Sequence, residues 1–467
     1  MKIQFQAFEY TSQGDFQTAE YEYQGDVSTG WEIFRNAKHY LALGKGYQLL
    51  KSKICGICAT DIDRRFLPYP LPQIIGHEVV AQSLDERQRF VVEINDTPYY
   101  RGENPDVFCS AGLYTHSPNR MVLGIDRLPG GFGPYILAPQ HAVIPVDDIE
   151  ECTAVLTEPF AAALQAVIAS PPGNDSMVAV LGPRRLGSLL IAALNAYRKM
   201  SGKHYIIYAL SRHRDILDTC LKLGADKGID LSNASATPAQ AEFDIVYDTT
   251  GTVSGFEQAL KLATQEIHLK STNGQPMCGL NNLTAFVVDE LALLPYKQDH
   301  LDFMWANENR KNERIYLSPG IHGVEIEGKA VYRGDLQRVE EILNSEEFRT
   351  RLPRFDLAVA STLEEIDRVI RPRKEHENAL IRPRGAILFR GDPHDNPLLN
   401  FIARGGVLRS SRCGDFHVAL EVLKDQRKLA DDLRFYLISH LFPISELKTA
   451  FACAQDKKSY KVIVKHT

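Results

Sequence analysis

The stretch that decides the fold is "MVAVLGPRRLGSLLIAALNAYRKM", residues Met177–Met200. It starts with a short apolar run and continues into a segment in which apolar residues recur every three or four positions. The first pattern is typical of a buried strand and the second of an amphipathic helix. The same pair follows twice more, as "YIIYAL" with "RDILDTCLKLGA" and as "FDIVYDTTG" with "SGFEQALKLAT". Strands that alternate with helices in this way predict βαβ units and a parallel sheet.

The composition is that of an ordinary globular protein with two or three domains. Of its 467 residues 44% are hydrophobic and 24% charged, and the formal net charge is −6. This mild charge argues against binding to nucleic acid or to an anionic membrane, because both need a concentrated basic face. The first residues hold no apolar leader, no run is long enough to span a membrane, and the eight cysteines are scattered. We therefore predict a protein of the reducing cytoplasm.

The pattern of secondary structure predicted from the sequence changes near residue 170. Before it the sequence is rich in strand patterns, such as "GPYILAP" (Gly133–Pro139) and "HAVIPV" (His141–Val146). The turn-forming cluster "SPPGND", Ser170–Asp175, then marks a boundary. A strand-rich domain followed by an α/β domain is the predicted organisation.

Three segments carry a candidate metal site: "KICGICATDIDRR" (Lys53–Arg65), "PQIIGHEVVA" (Pro72–Ala81) and "LTEPFAAALQAV" (Leu156–Val167). A C-x-x-C pair can bind metal, run thiol redox chemistry or do neither. Cys58, His77 and Glu158 offer a thiolate, an imidazole and a carboxylate, and a catalytic zinc takes about three such ligands with one position left open. The alternative is two buried cysteines and a core histidine.

With these motifs the chain resembles the medium-chain dehydrogenase/reductase family, in its zinc-dependent branch of sorbitol and threonine dehydrogenases. "CGICATD", "GHE", "GGFGPYILAP", "EPFAAALQAV" and "HLFPISELKTAFACAQDKKSYKVIV" occur in the family's order. The resemblance implies one catalytic zinc bound by Cys58, His77 and Glu158. It also implies that Glu78 is a neighbouring carboxylate that can exchange onto the metal, and that Thr60 passes on the substrate proton. Cys55 then packs in the strand before Cys58.

The resemblance covers about 1–265 and 380–467 and implies an α/β fold class with two domains. Residues 1–170, completed by 411–467, would form a β-rich GroES-like catalytic domain. Residues 171–410 would form a Rossmann-type dinucleotide-binding domain with a doubly wound parallel sheet. Within it, about 266–378 would be an inserted segment, which has a helical pattern at Arg333–Phe348 and a strand pattern at Phe355–Thr362. "RPRGAILFRG", Arg382–Gly391, would then supply the strand that the family places after the helix that follows "FDIVYDTTG".

Two departures from the family pattern affect the metal chemistry. The segment Glu93–Arg120, where the family often has four cysteines, holds only Cys109. A closed structural site needs four nitrogen or sulfur ligands, so we predict no structural zinc. Asp63 stands where the family often has a histidine that relays the proton to solvent. A carboxylate can accept a proton through water, but its pKa is lower, so the relay role of Asp63 stays open.

The glycine loop "GPRRLG", Gly182–Gly187, stands where the dinucleotide fingerprint G-x-G-x-x-G is expected. Gly182 and Gly187 fill its first and third places, with Leu186 before the last, but Arg184 replaces the middle glycine. Either Arg184 or Arg185 contacts phosphate, or the loop has shifted and the arginines point to solvent, or cofactor binding is lost.

The end of the second α/β strand predicts the cofactor type. Ser211 stands where an NAD-preferring enzyme has an acidic residue, and Arg212 and Arg214 flank it. Arginines attract a 2′-phosphate, so we predict NADP(H) in preference to NAD(H). Thr250, in "DTTG", and the polar segment Ile267–Asn282 are expected near the nicotinamide half of the cofactor.

The sequence therefore predicts a zinc-dependent enzyme that transfers a hydride between NADP(H) and a small alcohol, aldehyde or ketone. A homo-dimer or homo-tetramer is expected, with no nucleic-acid or membrane partner. Two alternatives stay open: a non-catalytic or regulatory protein on the same fold with impaired dinucleotide binding, and a zinc-independent enone or quinone reductase.

Overall fold

The computed structural model describes residues 1–233, 241–303, 312–335, 338–339, 341, 354–371 and 379–466. The strands are β1 (Lys2–Tyr10), β2 (Phe16–Asp26), β3 (Gly30–Arg35), β4 (Lys38–Leu43), β5 (Tyr47–Ile57), β6 (Glu78–Gln82), β7 (Arg89–Val92), β8 (Asn95–Asp96), β9 (Met121–Val122), β10 (Tyr135–Pro139), β11 (Val143–Pro145), β12 (Met177–Leu181), β13 (Ile206–Ser211), β14 (Lys227–Asp230), β15 (Phe243–Asp248), β16 (Ala263–Leu269), β17 (Ala292–Pro295), β18 (Arg314–Leu317), β19 (Ala330–Arg333), β20 (Phe355–Ala360), β21 (Ile381–Phe389), β22 (Val407–Ser410), β23 (Ile438–Pro443) and β24 (Lys461–Lys465).

The α-helices with described bounds are α1 (Ala59–Ile62), α2 (Val107–Ser110), α3 (Glu151–Ala154), α4 (Thr157–Ala169), α5 (Arg185–Ser201), α6 (Arg214–Leu223), α7 (Val253–Leu262), α8 (Leu283–Val288), α9 (Leu363–Ile370), α10 (Pro397–Ala403), α11 (Phe416–Asp425), α12 (Arg427–Leu437) and α13 (Leu447–Gln455). Short 3-10 helices lie at Arg64–Phe66, Tyr114–His116, Gln140–Ala142, Asp299–Asp302 and Ile444–Glu446. In the ranges that the structure describes, none of these helices combines the length and apolar composition that crossing a bilayer requires.

The chain divides into two compact units, Met1–Ala161 with Asp415–Thr467, and Ala162–Gly414. The domain boundaries expected from the sequence were 170/171 and 410/411. The first unit is β-rich. It contains a sheet in the order β11-β7-β6-β5-β24-β23, with β10 also paired to β5, and a separate four-stranded sheet β1-β2-β3-β4.

The central strand of the first unit positions the candidate metal ligands. Strand β5 pairs antiparallel with both β6 and β24, with Gly56 opposite Glu78 and Ile57 opposite Val462. In antiparallel pairs the end of one strand lies beside the start of the next. The end of β5, the start of β6 and the start of β24 are therefore neighbours.

The second unit is built on an eleven-stranded sheet in the order β14-β13-β12-β15-β16-β22-β17-β21-β20-β18-β19. Its first six strands are all parallel and follow the doubly wound order 3-2-1-4-5-6. The predicted pairing of β12 with α5 is confirmed. The helix buries Leu189, Leu190, Ala193 and Leu194, and Gly202 ends it in the left-handed conformation.

The inserted residues extend the same sheet. Strand β17 pairs antiparallel with β22, and β21, β20, β18 and β19 follow in a second parallel set. The side chains of these strands contribute to two apolar clusters, for example Leu293 and Ile387 to one and Leu317 and Val359 to the other. The strand predicted at Phe355–Thr362 is confirmed as β20. The helix predicted over Arg333–Phe348 falls mostly outside the described residues.

One strand assignment from the sequence is wrong. The strand that directly follows α7 and pairs with β15 is β16, and its other neighbour is β22, not the strand at Arg382–Gly391. That segment forms β21, between β17 and β20. Strand β16 carries Glu266 and His268, which made it look like part of a polar insertion. His268 is nonetheless buried and Glu266 partly buried, because serine hydroxyls bind His268 and Arg409 lies 3.4 Å from Glu266.

Candidate metal and cofactor sites

Cys58 lies at the point where β5 turns into α1. It is the N-cap residue of α1, and its backbone N–H donates to Asp61 Oδ2 over 2.9 Å. Asp61 is fully buried. The carboxylate of Asp61 therefore fixes the turn that presents the Cys58 thiol.

His77 is held next to this turn by the same carboxylate. Its Nδ1 lies 3.2 Å from Asp61 Oδ1, and both side chains are buried. Burial alone lowers the pKa of His77, but the charges of Asp61 and Cys58 outweigh this effect and place the pKa well above its ordinary value. A carboxylate on one ring nitrogen orients the imidazole and leaves Nε2 available to a metal.

The backbone before His77 requires a glycine. Gly76 has φ +98°, and a Cβ there would lie 2.9 Å from Cys55 Sγ and 3.0 Å from the ring of Phe132. Cys55 itself is fully buried in β5 and forms no disulfide, which confirms its predicted packing role.

Ligand atoms of Cys58, His77 and Glu78 all lie within 4.8 Å of one another. In the part of the chain that the structure describes, this is the one group of three or more such side chains. Ligand atoms around a tetrahedral zinc are about 3.3–3.8 Å apart, given bond lengths of about 2.0–2.3 Å. The atoms of this group are at most about 1 Å further apart than that, so small side-chain movements would bring the thiolate, the imidazole and a carboxylate onto a single zinc ion.

Glu78 is also bound by a lysine from the C-terminal strand. Lys461 Nζ donates to both carboxylate oxygens of Glu78, over 2.6 and 2.7 Å, in a buried pair. Burial lowers the pKa of Lys461, but Glu78 and Cys58 outweigh it, so the pKa is raised. Glu78 would have to release Lys461, at least in part, to become a metal ligand.

Glu158, the predicted third ligand, is not in this group. It lies in the first turn of α4 and is partly buried. Burial raises its pKa to about 7, His77 opposes the shift and Glu78 adds to it. Glu158 is thus electrostatically coupled to the group, and its role as a ligand stays a prediction.

The two predicted proton-transfer residues are both on or beside α1. Thr60 Oγ1 lies 3.7 Å from Cys58 Sγ, so its hydroxyl is next to the ligand group. Asp63 is the C-cap residue of α1 and is exposed to solvent. The half-buried hydroxyl of Thr60 is thus followed along α1 by the exposed carboxylate of Asp63.

The segment that carries Cys109 is held by other interactions. Asp106 caps α2 by accepting from the backbone N–H groups of Phe108 and Cys109, and it also accepts from the hydroxyl of Ser117. The rings of Tyr99, Tyr100 and Tyr114 pack together, with centroids 4.8–5.7 Å apart. Hydrogen bonds and aromatic packing therefore stabilise the segment for which we predicted no structural zinc.

The glycine loop joins β12 to α5 in the second unit. Gly182 has φ +73°, and a Cβ there would lie 2.7 Å from Thr250 Cγ2, whereas a Cβ at Gly187 would lie 2.6 Å from Thr249 Oγ1. Arg184 is the N-cap residue of α5, and its N–H donates to Gly182 O over 2.7 Å. The close packing of both glycines fits a dinucleotide loop, in which the first makes the turn and the last allows close packing of helix on strand.

Arg184, Arg185 and Leu186 are all partly buried at the start of α5. Each is therefore at the helix end where a dinucleotide phosphate would bind. That Arg184 or Arg185 contacts phosphate stays a prediction, as do the alternatives that both point to solvent or that cofactor binding is lost.

The other predicted cofactor residues lie at the carboxyl ends of β13 and β15. Ser211 is buried and accepts from the His213 N–H over 3.1 Å, and Arg212 and Arg214 are exposed. Asp230, at the end of β14, lies directly opposite Ser211 in the sheet. This carboxylate, which the sequence did not single out, would oppose a 2′-phosphate.

The comparisons with known proteins agree with this architecture. No family model matches the chain. It is 26% identical over 234 residues to an L-threonine 3-dehydrogenase of Rhizobium etli (strain CIAT 652), which covers 47% of this chain and 63% of that protein. It is 30% identical over 161 residues to L-galactonate-5-dehydrogenase of Escherichia coli (strain K12), which covers 32% of this chain and 46% of that protein. The chain thus spans less than two thirds of the length of these relatives.

Solved structures share the fold over nearly the whole chain. L-idonate 5-dehydrogenase of Escherichia coli K-12 superposes with a TM-score of 0.57 at 14% identity, covering 100% of this chain and 99% of that one. A protein of Sinorhizobium meliloti 1021, described as a zinc-binding dehydrogenase and bound to NADP, gives 0.56 at 15% identity, covering 99% of both chains. Acetophenone reductase of Geotrichum candidum NBRC 4597, in complex with NAD, gives 0.52 at 15%, covering 95% and 97%.

The chain is therefore similar in sequence to L-threonine 3-dehydrogenase and L-galactonate-5-dehydrogenase over part of its length, and it shares the fold of L-idonate 5-dehydrogenase. Its fold, with a Rossmann-type parallel sheet and a GroES-like β-rich unit, is the one that the sequence predicts. The structure brings Cys58, His77, Glu78 and Thr60 together in one unit, and Gly182, Gly187 and Thr250 together in the other.

Two charged residues of the metal site escaped the sequence analysis. Asp61 had a weak signal, because it stands three residues after Cys58, at the spacing of a helix cap. Lys461 had no signal in the sequence. It is 383 residues from Glu78 in the chain, and only the pairing of β5 with β24 brings the two side chains together.

Proposed function

We propose that this protein is a zinc-dependent oxidoreductase that transfers a hydride between NADP(H) and a small alcohol, aldehyde or ketone. The observation that carries the proposal is the group of partly buried Cys58 with buried His77 and Glu78, whose ligand atoms lie within 4.8 Å of one another. Asp61 supports it, because its carboxylate contacts both the Cys58 turn and the His77 ring.

In this proposal Cys58 and His77 bind the zinc, Glu158 is the third ligand, and Glu78 is a carboxylate that exchanges onto the metal. When bound, zinc would polarise the substrate oxygen as a Lewis acid. Lys461 donates to both oxygens of Glu78, so this carboxylate has an ammonium partner whenever it is not on the metal.

Thr60 is the residue that takes the proton from the substrate hydroxyl or returns it. Its hydroxyl can accept and donate at the same time, which is what a relay needs. Asp63 is its route to solvent, because this carboxylate is exposed at the other end of α1.

The cofactor side of the proposal assigns the dinucleotide to the carboxyl edge of the sheet in the second unit. The loop is shaped by Gly182, Gly187 and Thr250. The phosphates are attracted by Arg184 and Arg185, and Leu186 lies between these arginines and Gly187. Binding of the 2′-phosphate of NADP(H) is favoured by Ser211, Arg212 and Arg214. The negative charge of Asp230 opposes it. The nicotinamide would exchange the hydride with the substrate carbon.

The experiment measures zinc content by mass spectrometry and NADPH and NADH binding by nicotinamide fluorescence. We expect one zinc per chain and tighter binding of NADPH than of NADH. In Cys58→Ser the zinc and the alcohol-dependent activity are lost, whereas Cys152→Ser, at a partly buried cysteine of α3, keeps both.

Each alternative has its own outcome in this experiment. Bound zinc without dinucleotide binding favours the regulatory protein on the same fold. Activity that survives in Cys58→Ser favours the zinc-independent enone or quinone reductase. A homo-dimer or homo-tetramer is also proposed, and light scattering of the purified protein measures it.

A further inference from the structure

A buried polar cluster lies at the carboxyl ends of β16 and β22 in the second unit. We call it the Lys270 cluster, and it consists of Ser170, His268, Lys270 and Ser411. His268 Nδ1 is 2.7 Å from Ser170 Oγ, and its Nε2 is 2.9 Å from Ser411 Oγ. Lys270 Nζ donates to Ser411 Oγ over 3.0 Å, to Ser411 O over 3.1 Å and to Arg412 O over 2.6 Å. No side chain of the cluster is more than 7% exposed.

These contacts fix the position of a positive charge. An ammonium has three N–H donors, and the three oxygens of Ser411 and Arg412 can receive all of them. His268 adds no second charge, because burial first, and then Lys270 and Arg409, lower its pKa well below the ordinary value. Neutral His268 instead bridges Ser170 and Ser411, which holds Ser411 in place under the ammonium.

The sheet order puts this charge in the second half of the doubly wound fold. Such sheets consist of two mononucleotide-binding halves, and ligands bind outside the carboxyl ends of the strands. Strands β14, β13 and β12 form the first half, which carries the glycine loop and Ser211. Strands β15, β16 and β22 form the second half, where the nicotinamide is expected to bind. Lys270 is the first residue after β16, and its N–H donates to Asp248 O at the end of β15 over 3.0 Å.

The two redox forms of the cofactor differ in charge at this half. The oxidised nicotinamide ring carries a positive charge and the reduced dihydronicotinamide ring is neutral. A fixed cation near the ring therefore disfavours the oxidised form and leaves the reduced form unaffected. In a partly buried site such a charge changes binding by about tenfold or more over several ångströms.

We propose that Lys270 makes the protein bind the reduced dinucleotide more tightly than the oxidised one. This inference rests on the proposed dinucleotide binding. It makes Lys270 a specificity-determining residue for the redox state of the cofactor, a property that the glycine loop and the Ser211 region, in the other half of the fold, do not control.

The test measures the dissociation constants of NADPH and NADP⁺ by fluorescence and calorimetry for wild type and variants. We expect the ratio of the NADP⁺ constant to the NADPH constant to fall by about tenfold in Lys270→Met. Lys270→Arg keeps the charge and the wild-type ratio. Lys261→Met, at an exposed lysine of α7, is the matched control and also keeps it.

A second uncharged variant keeps the test decisive if Lys270→Met does not fold. Lys270→Gln keeps an N–H donor for the Arg412 carbonyl but has no charge, and its ratio falls as in Lys270→Met. An unchanged ratio in a folded neutral variant, shown by its circular dichroism, would overturn the inference. If wild type binds neither dinucleotide, the proposed function itself is wrong and the inference goes with it.

Discussion

At the scale of single residues, Asp61 organises the candidate metal site. Its two oxygens make separate contacts. Oδ2 accepts from the Cys58 N–H, and Oδ1 faces His77 Nδ1. Cys58 and His77 could be predicted from the sequence because each stands in a short motif. Asp61 could not be assigned its role, because in the sequence it looks like any acidic residue in the first turn of a helix.

We predict that Asp61→Asn lowers zinc affinity about 10- to 100-fold, because the amide no longer orients His77 with a negative charge. Competition with a chromophoric chelator measures the affinity. Asp148→Asn, at an exposed aspartate of the same unit, is the matched control and keeps wild-type affinity. Equal affinity in wild type and Asp61→Asn would show that Asp61 has no part in metal binding.

Asp248 makes stability depend on pH. Burial raises its pKa from 3.8 to about 6, so the native protein binds this proton more tightly than the unfolded chain. Its favourable contribution is therefore complete below pH 3.8 and is lost as the pH rises through about 6, by about 3 kcal/mol in all. In Asp248→Asn, which keeps an acceptor for Thr250, this loss disappears.

The measurement is the free energy of unfolding in urea between pH 4 and pH 8. Asp248→Asn gains stability relative to wild type as the pH rises, and Asp218→Asn, at an exposed position of α6, does not. Parallel pH curves for wild type and Asp248→Asn would contradict the raised pKa.

At the scale of elements, the turn before β6 shows how a backbone position controls a side chain. Gly76 takes a left-handed conformation between packed groups so that His77 faces Cys58. We predict that Gly76→Ala lowers the free energy of unfolding by about 2–4 kcal/mol, through backbone strain and the clash with Cys55. Gly44→Ala, which meets nothing within 4 Å, is the control. Urea unfolding measures both, and equal losses in the two variants would refute the role of the turn.

The strands were predictable where their residues were apolar and ambiguous where charges are buried. Strands β12, β13 and β15 were assigned from their apolar runs, and the helices after them from helical spacing. Strand β16 was taken for insertion because Glu266 and His268 are polar. Only the fold supplies Arg409, Ser170 and Ser411, the partners that make their burial possible.

At the scale of the whole molecule, the inserted residues are part of the main sheet of the second unit. Strand β17 joins β22, and β21 lies between β17 and β20. Deletion of 290–370 would remove both neighbours of β21 and expose its buried residues Ile387 and Leu388. We predict that this variant loses the cooperative unfolding of the second unit, measured by calorimetry and limited proteolysis. A deletion variant with wild-type melting temperature would show that the insertion is an independent addition.

The central claim is that one zinc ion is bound by a cysteine, a histidine and a carboxylate from distant parts of the chain. X-ray absorption at the zinc edge of the purified, full-length protein tests it most directly. We predict one zinc per chain with a single sulfur ligand at about 2.3 Å and nitrogen or oxygen ligands at about 2.0–2.2 Å. A shell of several sulfur atoms, or protein that retains no zinc when purified in its presence, would contradict it.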